Sequence, residues 1–315
     1  MMPLDSDVTG RLGGRRVLVL TERPDWHTPR LLDALERRGV PYLCAAPSDC
    51  GLAVGLGGTG LAIPGFETEL PAGVFVRAIG RGTFEQVTLR LGVLHALVEL
   101  GVPVYNGPRA IERCVDKSIT SFLLARAGLP TPPAIAVQGP ERAAQELPRL
   151  GGEVVAKPLF GAQGRGLKRL EEAADLPGEE EMSGVYYLQR YVPPEREGDW
   201  HDWRVFVVGE RAAAAMVRRG RSWITNVHQG ATAEPAPSVG PHADLAVAAA
   251  RAVGADYAGV DLIRGADGRW QVLEVNSMPA WQGLQKVTPV DIGDALIADF
   301  TERVLGLAPA AAVPA

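Results

Sequence analysis

The 315-residue chain has few cysteines and no long hydrophobic run. Cys44, Cys50 and Cys114 form no Cys-x-x-Cys pair, so we expect neither a disulfide framework nor a zinc site. The most apolar loop-like stretch, 51–65, contains several glycines and is shorter than the roughly 20 residues that a membrane-spanning helix needs. We therefore expect a cytoplasmic protein with reduced cysteines and no membrane partner.

The chain also lacks an excess of basic charge. It has 32 Lys and Arg against 37 Asp and Glu, a formal net charge of −5. Nucleic-acid-binding domains are usually strongly basic, so we expect no nucleic-acid partner. The first ten residues have no apolar core of the secretory type, so we expect no signal peptide.

The order of the apolar patterns predicts an α/β protein with several subdomains. In the N-terminal part, strands are predicted at 15–20, 40–46, 73–77 and 102–106, with helices at 28–38 and 84–100. Such alternation is typical of a parallel α/β domain. Further on, helices are predicted at 108–127, 140–150 and 241–253, and strands at 134–137, 153–158, 184–191, 202–208, 211–217 and 257–276. The expected domains are 15–106, 107–192 and 193–307, divided by a Pro193-Pro194 linker, with disordered tails at 1–14 and 308–315.

The segment 259–276 has the pattern of a β-hairpin that carries acidic residues. Asp267-Gly268 is a two-residue turn signal. Counting outward from it gives the cross-strand pairs Asp261–Glu274, Leu262–Leu273 and Arg264–Gln271, with Asn276 on the face of Glu274. Like charges directly opposite each other destabilise a sheet, and such oxygen ligands suit Mg²⁺ or Mn²⁺. The pattern therefore predicts a metal site at Asp261, Glu274 and Asn276.

Two other interpretations of these acids stay open at this point. They are incidental acids on a solvent-facing strand, or they form a carboxylate pair that shares a proton as general acid and base. Magnesium held by a few carboxylates usually also binds phosphate oxygens, so the metal interpretation points to a nucleotide.

A lysine and a glycine-rich loop form the second candidate site. An apolar strand ends at Lys157, and Gly161, Gly164 and Gly166 follow. Glycines allow backbone N–H groups to approach phosphate oxygens, and the lysine adds a positive charge. The spacing fits neither the Walker loop nor the dinucleotide-binding fingerprint. Taken alone the loop is weak evidence, because glycine-rich hairpins have many structural uses.

Four further polar residues are candidates for contacts with phosphates or carboxylates. Lys117 lies in an otherwise apolar helix, and Arg204 lies near the start of a predicted strand. Arg219 and Asn226 flank a loop that contains Trp223. Arginine binds carboxylates and phosphates in bidentate fashion, although each of these residues also suits an ordinary surface position. The five histidines show no metal-ligand spacing, and no Ser-His-Asp or Cys-His arrangement is present.

Seven motifs follow one another in the sequence: DKSITSFLLARAGLPTPP, VVAKPLFGAQGRG, LQRYV, DWRVFVVG, WITNVHQGA, AGVDLIR and VLEVNSMPAWQGLQKVT. This ordered set resembles the ATP-grasp superfamily and, within it, the RimK-like amino-acid ligases, over residues 15–306. The resemblance implies an ATP-grasp fold, α/β with an α+β ATP-binding part, behind an N-terminal Rossmann-like pre-ATP-grasp domain. It also implies a homodimer or homotetramer by analogy.

The resemblance assigns roles to individual residues. ATP and Mg²⁺ (or Mn²⁺) are the implied cofactors, and Asp261, Glu274 and Asn276 match the metal ligands. The catalytic candidates are Lys157, Arg204 and Arg219. The implied ATP contacts are Lys117, Lys157, Gly161, Gln163, Gly164, Gly166, Gln189, Arg190, Tyr191, Val192, Asp202 and Asn226. Arg190 departs from the family, whose hinge usually carries an acidic residue at this position.

The implied reaction is amide formation through an acyl phosphate. An acceptor carboxylate attacks the γ-phosphate of ATP, and the amine of an amino acid then displaces phosphate. We expect L-glutamate as the amino acid, and a pterin or furan C1 carrier or a peptide tail as the acceptor. The WITN stretch instead resembles the branch that acts on an amino-acid carrier protein in lysine synthesis, and an arginine cluster at Arg218, Arg219 and Arg221 would suit an acidic carrier. A non-catalytic ATP-binding protein is a further alternative. A nicotinamide oxidoreductase is disfavoured because the first strand continues LTERPDW, without a glycine fingerprint.

Overall fold

The computed structural model describes residues 6–23, 25–161 and 164–307, which form two compact units. The first unit contains the described residues up to Arg109, Ala280–Gln282, and those from Val290 onward. The second contains Ala110–Pro279 and Gly283–Pro289, so the division expected at Pro193 lies inside it. Within the described residues, no helix has the length and apolar character that crossing a membrane requires.

The first unit is built around a parallel sheet. Its elements are α1 (Ser6–Arg11), β1 (Val17–Leu20), α2 (Thr28–Arg37), β2 (Tyr42–Ala45), β3 (Gly51–Leu52), β4 (Leu61–Ala62), β5 (Gly73–Val76), α3 (Phe84–Glu99) and β6 (Val104–Tyr105). Four strands form the sheet in the order β2-β1-β5-β6, and all neighbours are parallel. Every residue of β1 and β5 is buried, which is why both strands are continuous apolar runs in the sequence. The predicted α/β domain is present.

The segment before β1 differs from its prediction. We expected 1–14 to be disordered, but α1 occupies Ser6–Arg11. Leu12, directly after this helix, is only 4% exposed, and its N–H donates to Val8 O at 3.1 Å. Burial of this one apolar side chain gives a physical reason for the order. Residues 1–5 and the predicted tail 308–315 lie outside the described residues.

The second unit is built on two antiparallel sheets. The elements from Pro108 onward are α4 (Pro108–Val115), α5 (Lys117–Arg126), β7 (Ala134–Gln138), α6 (Pro140–Leu150), β8 (Val154–Pro158), β9 (Lys168–Leu170), β10 (Val185–Arg190), β11 (His201–Val208), β12 (Arg211–Arg219), β13 (Thr232–Ala236), α7 (Pro241–Val253), β14 (Tyr257–Arg264), β15 (Trp270–Asn276) and α8 (Gln282–Gln285). The strand orders are β7-β10-β8-β9 and β13-β12-β11-β14-β15. Small residues of α7, including Ala246, Ala249 and Ala250, pack in one core with apolar residues of the five-stranded sheet.

A single acidic residue divides the helix that we predicted over 108–127. Asp116 has extended backbone angles, and its side chain accepts hydrogen bonds from the N–H groups of Ser118 and Ile119. This is the geometry of a helix N-cap, which satisfies donors that the first helical turn leaves unpaired. Lys117 therefore becomes the first residue of α5, a position that the sequence pattern did not indicate.

The end of the described chain belongs to the first unit. Helix α9 (Ile292–Asp299) is followed by a π-helical turn, Phe300–Val304. Asp294 of α9 forms ion pairs with Arg37 and Arg38 at the end of α2, at 2.8 and 2.7 Å. Phe300 packs against Phe75 and Tyr105. The residues from Val290 onward thus group with the first unit, whereas the sequence pattern places them in a subdomain over 193–307.

Candidate active site

A pocket in the second unit collects most of the predicted site residues. Both antiparallel sheets and the loop 220–226 contribute to its lining. The lining residues are Val155, Lys157, Gly164, Leu167, Gln189, Arg190, Tyr191, Val192, Pro194, Trp200, His201, Asp202, Arg218, Trp223, Ile224, Thr225, Asn226, Asp261, Ile263, Leu273 and Glu274. The pocket therefore combines three basic residues, three carboxylates and aromatic side chains.

The predicted acid pair is present at this pocket. Asp261 and Glu274 lie directly opposite each other on β14 and β15, and Asn276 pairs with Gly259. Asp261 is 6% exposed. The hairpin thus brings two carboxylates and an amide to one end of the sheet, as the residue count predicted.

The rest of the hairpin register differs from the prediction. Leu262 pairs with Val272 and Arg264 pairs with Trp270, so the turn is longer than two residues. The register shifts between Asp261 and Leu262, and this β-bulge restores the pairing of the acids. Because of the bulge, Leu273 lines the pocket and Val272 lies in the core.

Two arginines hold the carboxylate of Asp261. Arg204 donates from Nε to Oδ1 and from Nη2 to Oδ2, the latter at 2.8 Å. Gly259 leaves the room for this arginine, because a Cβ there would lie 2.9 Å from Arg204 Nη1. Arg218 Nη2 lies 3.0 Å from Asp261 Oδ2. Burial raises the pKa of Asp261, but the two guanidinium groups outweigh this effect and hold the pKa below its ordinary value.

Arg218 also holds a second carboxylate, that of Asp202. Its Nε donates to Asp202 Oδ1 at 2.6 Å, and its Nη2 contacts Oδ2. Asp202 and Arg218 are 5% and 4% exposed, so Arg218 is not a surface residue. The sequence pattern indicates Arg218 only as part of a basic cluster. The cross-strand register that pairs Asp202 with Arg218 is the signal that could have identified it.

Arg219, which we predicted as a catalytic arginine, lies outside the pocket. Side chains alternate along β12, so Arg218 and Arg219 project to opposite faces. Arg219 is bound instead to Asp199 at 2.6 Å and to Glu234 at 3.0 Å in a largely exposed ion-pair cluster. The inward position therefore belongs to Arg218, and Arg204 is the predicted arginine that does reach the acid pair.

The two predicted lysines approach the site from different elements. Lys117 Nζ donates to the carbonyl oxygens of Leu159 and Gly161, at 3.4 and 3.0 Å, so it reaches the glycine-rich loop. Lys157 Nζ donates to Gln189 Oε1 at 2.6 Å inside the pocket. Burial lowers the pKa of both lysines, that of Lys157 to about 8, although the nearby Glu274 carboxylate acts in the opposite direction.

Two described glycines of the loop, Gly164 and Gly166, occupy positions that favour glycine. Gly164 and Gly166 have φ angles of +69° and +70°, in the left-handed region. A Cβ on Gly166 would lie 2.8 Å from Pro158, and one on Gly164 would lie 3.1 Å from Ile224. Gly161 accepts the hydrogen bond from Lys117. Gln163 lies outside the described residues.

The predicted hinge residues form one wall of the pocket. Tyr191 meets Trp223 edge to face, with ring centroids 6.3 Å apart, and Val192 lies beside Tyr191. The exposed Arg190 side chain donates from Nε to Leu150 O, so the residue that departs from the family pattern is bound to the end of α6. Asn226 Oδ1 accepts from His228 N at 2.9 Å and so fixes the turn in which it lies.

The acid pair fits a hard cation. Among the described residues, the side chains of Glu274 and Asn276 make no hydrogen bond or ion pair. A carboxylate has about four lone-pair positions, and the arginines use three of those on Asp261, which leaves one on Oδ1. No group of three or more His, Cys, Asp and Glu side chains in the described ranges could hold a metal ion. The predicted ligand set of Asp261, Glu274 and Asn276 contains only two such side chains, because Asn276 contributes an amide oxygen.

Comparisons with known proteins agree with this geometry. Residues 114–300, more than half of the chain, match the family model described as a RimK-like ATP-grasp domain. The chain is similar to the tetrahydromethanopterin:alpha-L-glutamate ligase of Methanocaldococcus jannaschii, with 33% identity over 91% of this chain and 98% of the relative. It is also similar to a probable alpha-L-glutamate ligase of Xanthomonas axonopodis pv. citri, with 32% identity over 89% of this chain and 94% of the relative.

Solved structures show the same fold. The ATP-grasp ligase PsnB, complexed with a phosphomimetic variant of its minimal precursor, Mg and ADP, matches 92% of this chain and 99% of its own, with a TM-score of 0.68 and 25% identity. The D-cycloserine synthetase DcsG matches 91% of this chain and 99% of its own, with a TM-score of 0.68 and 19% identity. The predicted ATP-grasp fold is confirmed, and ATP-grasp ligases bind ATP. The chain belongs to the RimK-like ATP-grasp family and is an ADP-forming acid–amino-acid ligase.

Proposed function

We propose that this ligase adds L-glutamate to a carboxylate of a small C1-carrying cofactor of the pterin or furan type. The observation that carries the chemistry is one pocket that combines Lys157 with the facing acids Asp261 and Glu274. The substrate assignment is supported by relatives named as glutamate ligases, which match this chain over nearly their full length.

ATP is assigned to the pocket around Lys157. Lys117 and Lys157 supply positive charge for the phosphates, and the glycine-rich loop supplies backbone N–H groups. Gln189, Tyr191 and Val192 form the wall assigned to the base. Asp202 and Asn226 complete the proposed nucleotide contacts. The tightly turned Gly164 and Gly166 let the loop run close to the lysines without side chains in the way.

Chemistry proceeds in two displacements without a protein nucleophile. A carboxylate oxygen of the acceptor forms a bond to the γ-phosphorus, and the bond from that phosphorus to the β,γ-bridging oxygen breaks to release ADP. The glutamate amine then bonds to the acyl carbon, phosphate leaves, and the amine loses a proton. Positive side chains stabilise the negative charge on the transferring group, which is where preorganised electrostatics contribute most. The described pocket accordingly needs no activated serine or cysteine.

A divalent cation is assigned to Asp261, Glu274 and Asn276. Mg²⁺ is the proposed ion, with Mn²⁺ as a close substitute, because both prefer oxygen ligands. When bound, the cation would neutralise charge on the β- and γ-phosphates. Arg204 would keep Asp261 ionised and oriented, which its bidentate contact already does.

The alternative of an acidic carrier protein loses two of the three arginines on which it relied. That alternative relied on a basic cluster at Arg218, Arg219 and Arg221. Arg218 is buried between two aspartates, and Arg219 is neutralised by Asp199 and Glu234. A small-molecule acceptor is therefore favoured.

The proposed specificity is tested with purified protein, Mg-ATP and a matrix of amino acids and acceptors. The acceptors are a tetrahydropterin with a side-chain carboxylate, a furan C1 carrier and a peptide that ends in glutamate. We expect ADP release only when glutamate and a cofactor acceptor are both present, with a product heavier by glutamyl units. ADP release that prefers the peptide, or an amino acid other than glutamate, would contradict the proposal.

A further inference from the structure

A continuous line of hydrogen bonds leads away from Lys157 into the interior of the second unit. Lys157 Nζ donates to Gln189 Oε1 at 2.6 Å, and Gln189 Nε2 donates to Tyr187 Oη at 3.0 Å. Tyr187 Oη lies 2.7 Å from Ser121 Oγ. Gln189 and Tyr187 are 1% and 2% exposed, so bulk water does not compete for these bonds.

The chemistry of the groups fixes the direction of this line. An ammonium group only donates, so Gln189 must present its carbonyl oxygen to Lys157. The amide nitrogen of Gln189 then points to Tyr187, whose hydroxyl has to accept. Burial raises the pKa of Tyr187 to about 12, so the phenol is neutral and keeps a proton that is available for Ser121. If the Gln189 amide were flipped, its NH₂ group would face the Lys157 ammonium, and two donors would meet without an acceptor.

The line also joins the elements that carry the two lysines. Lys157 lies on β8, Gln189 and Tyr187 lie on β10, and Ser121 lies on α5, the helix that begins at Lys117. Ser121 is four residues after Lys117. The Ser121–Tyr187 bond therefore ties the helix of one lysine to the strand that orients the other.

We propose that Tyr187, braced by Ser121, is a positioning residue that fixes the Gln189 amide and thereby aims the Lys157 ammonium into the nucleotide pocket. This inference rests on the proposed contact between Lys157 and ATP. Neither Tyr187 nor Ser121 lines the pocket, so neither touches the nucleotide in this account. Removal of the Tyr187 hydroxyl leaves the buried Gln189 Nε2 without an acceptor. Rotation of the Gln189 side chain would relieve this cost, and Lys157 would then lose its fixed orientation.

The test is a double-mutant cycle on ATP affinity, with ATP alone as the calorimetric probe. The variants are Tyr187→Phe, Lys157→Met and the double variant. We expect Tyr187→Phe to weaken ATP binding about five- to tenfold, which corresponds to the loss of one hydrogen bond between neutral groups. In the Lys157→Met background the same change should cost less than about twofold, because the two residues act through one contact. Ser121→Ala should reproduce a smaller part of the Tyr187→Phe effect.

Tyr186→Phe is the matched control. Tyr186 is the adjacent residue on β10, it is equally buried, and its hydroxyl donates to Pro177 O at 2.9 Å on the other face of the strand. It should change the melting temperature but not the affinity for ATP. The inference is overturned if Tyr187→Phe lowers affinity no more than Tyr186→Phe, or equally in both Lys157 backgrounds. A wild type that binds ATP but forms no glutamyl product contradicts the proposed function alone, because the cycle reads only ATP binding.

Discussion

Arg218 contacts Asp202 and Asp261 at the same time, so one guanidinium joins carboxylates from two neighbouring strands. With Arg204 it completes a buried cluster of two arginines and two aspartates. The charges balance within the cluster, which is the condition under which ionised groups tolerate burial. The cluster holds Asp261 ionised beside Glu274 and so prepares one edge of the pocket for a cation.

Loss of Arg218 should destabilise the fold strongly. Arg218→Leu leaves Asp202 and part of Asp261 buried without their counter-charge, which costs about 3–5 kcal/mol for a broken buried ion pair. Chemical denaturation would measure the difference. Arg219→Leu is the matched control on the same strand, and its exposed ion pairs should be worth less than about 1 kcal/mol each. Equal losses for the two variants would show that the cluster has no special role.

Glu274→Gln should separate metal binding from folding. The Glu274 side chain has no hydrogen-bond or ion-pair partner among the described residues, so its neutral isostere should leave the melting temperature almost unchanged. Turnover should fall at least about 100-fold, because the proposed cation loses a charged ligand. Mn²⁺ affinity, followed by electron paramagnetic resonance, should fall in parallel. Glu234→Gln, in the Arg219 ion-pair cluster, should change neither. Unchanged Mn²⁺ affinity in Glu274→Gln would contradict the metal assignment.

ATP affinity should weaken as the pH rises through about 8. Burial lowers the pKa of Lys157 to about that value against the opposing field of Glu274, with Lys117, Asp261 and Asp202 as the other charged neighbours. Lys157 carries its charge below this pKa and loses it above, so its attraction for phosphate disappears as the pH increases. Titrations of ATP without metal on both sides of this pH would measure the change, and Lys157→Met should remove it. If ATP affinity still falls near pH 8 in Lys157→Met, a group other than Lys157 causes the change and the prediction is wrong.

A side chain at Gly166 should disturb the loop more than one elsewhere. Gly166→Ala must adopt a φ of +70° and meet Pro158 at 2.8 Å, and a left-handed non-glycine residue costs about 1–2 kcal/mol. If relief of this strain shifts the backbone N–H groups, ATP affinity falls by about tenfold. Gly178→Ala is the control, because its Cβ meets nothing within 4 Å. If Gly166→Ala binds ATP as tightly as the wild type does, the proposal that this loop contacts the phosphates is contradicted.

The acid pair shows both the reach and the limit of the sequence pattern. Asp261 and Glu274 were predicted as cross-strand partners, and the structure pairs them. The turn is longer than predicted, but a β-bulge shifts the register back, so the two deviations cancel at this pair. A bulge is set by how Leu273 and Val272 divide between pocket and core, which depends on packing rather than on local sequence. The parallel sheet of the first unit was easier to predict, since its strands are short apolar runs.

Other features depend on contacts that are remote in sequence. Alternation along a strand did not decide between Arg218 and Arg219, because the register with Asp202 makes that choice. Helix α9 packs in the first unit, where Asp294 forms ion pairs with Arg37 and Arg38, which lie more than 250 residues earlier in the sequence. Lys117 and Lys157 were candidates from the sequence pattern and also match the family motifs, whereas the Tyr187 connection between their elements is visible only in three dimensions. The cytoplasmic location and the homo-oligomeric state stay predictions.

The central claim is that the acceptor carboxylate is activated by phosphorylation before glutamate attacks it. The most direct measurement uses a cofactor acceptor whose carboxylate oxygens are labelled with oxygen-18, with Mg-ATP and unlabelled glutamate. The account predicts that one labelled oxygen per turnover appears in the released phosphate and that the product retains the other in its new amide. Phosphate free of label, with product formed, would contradict the acyl-phosphate route.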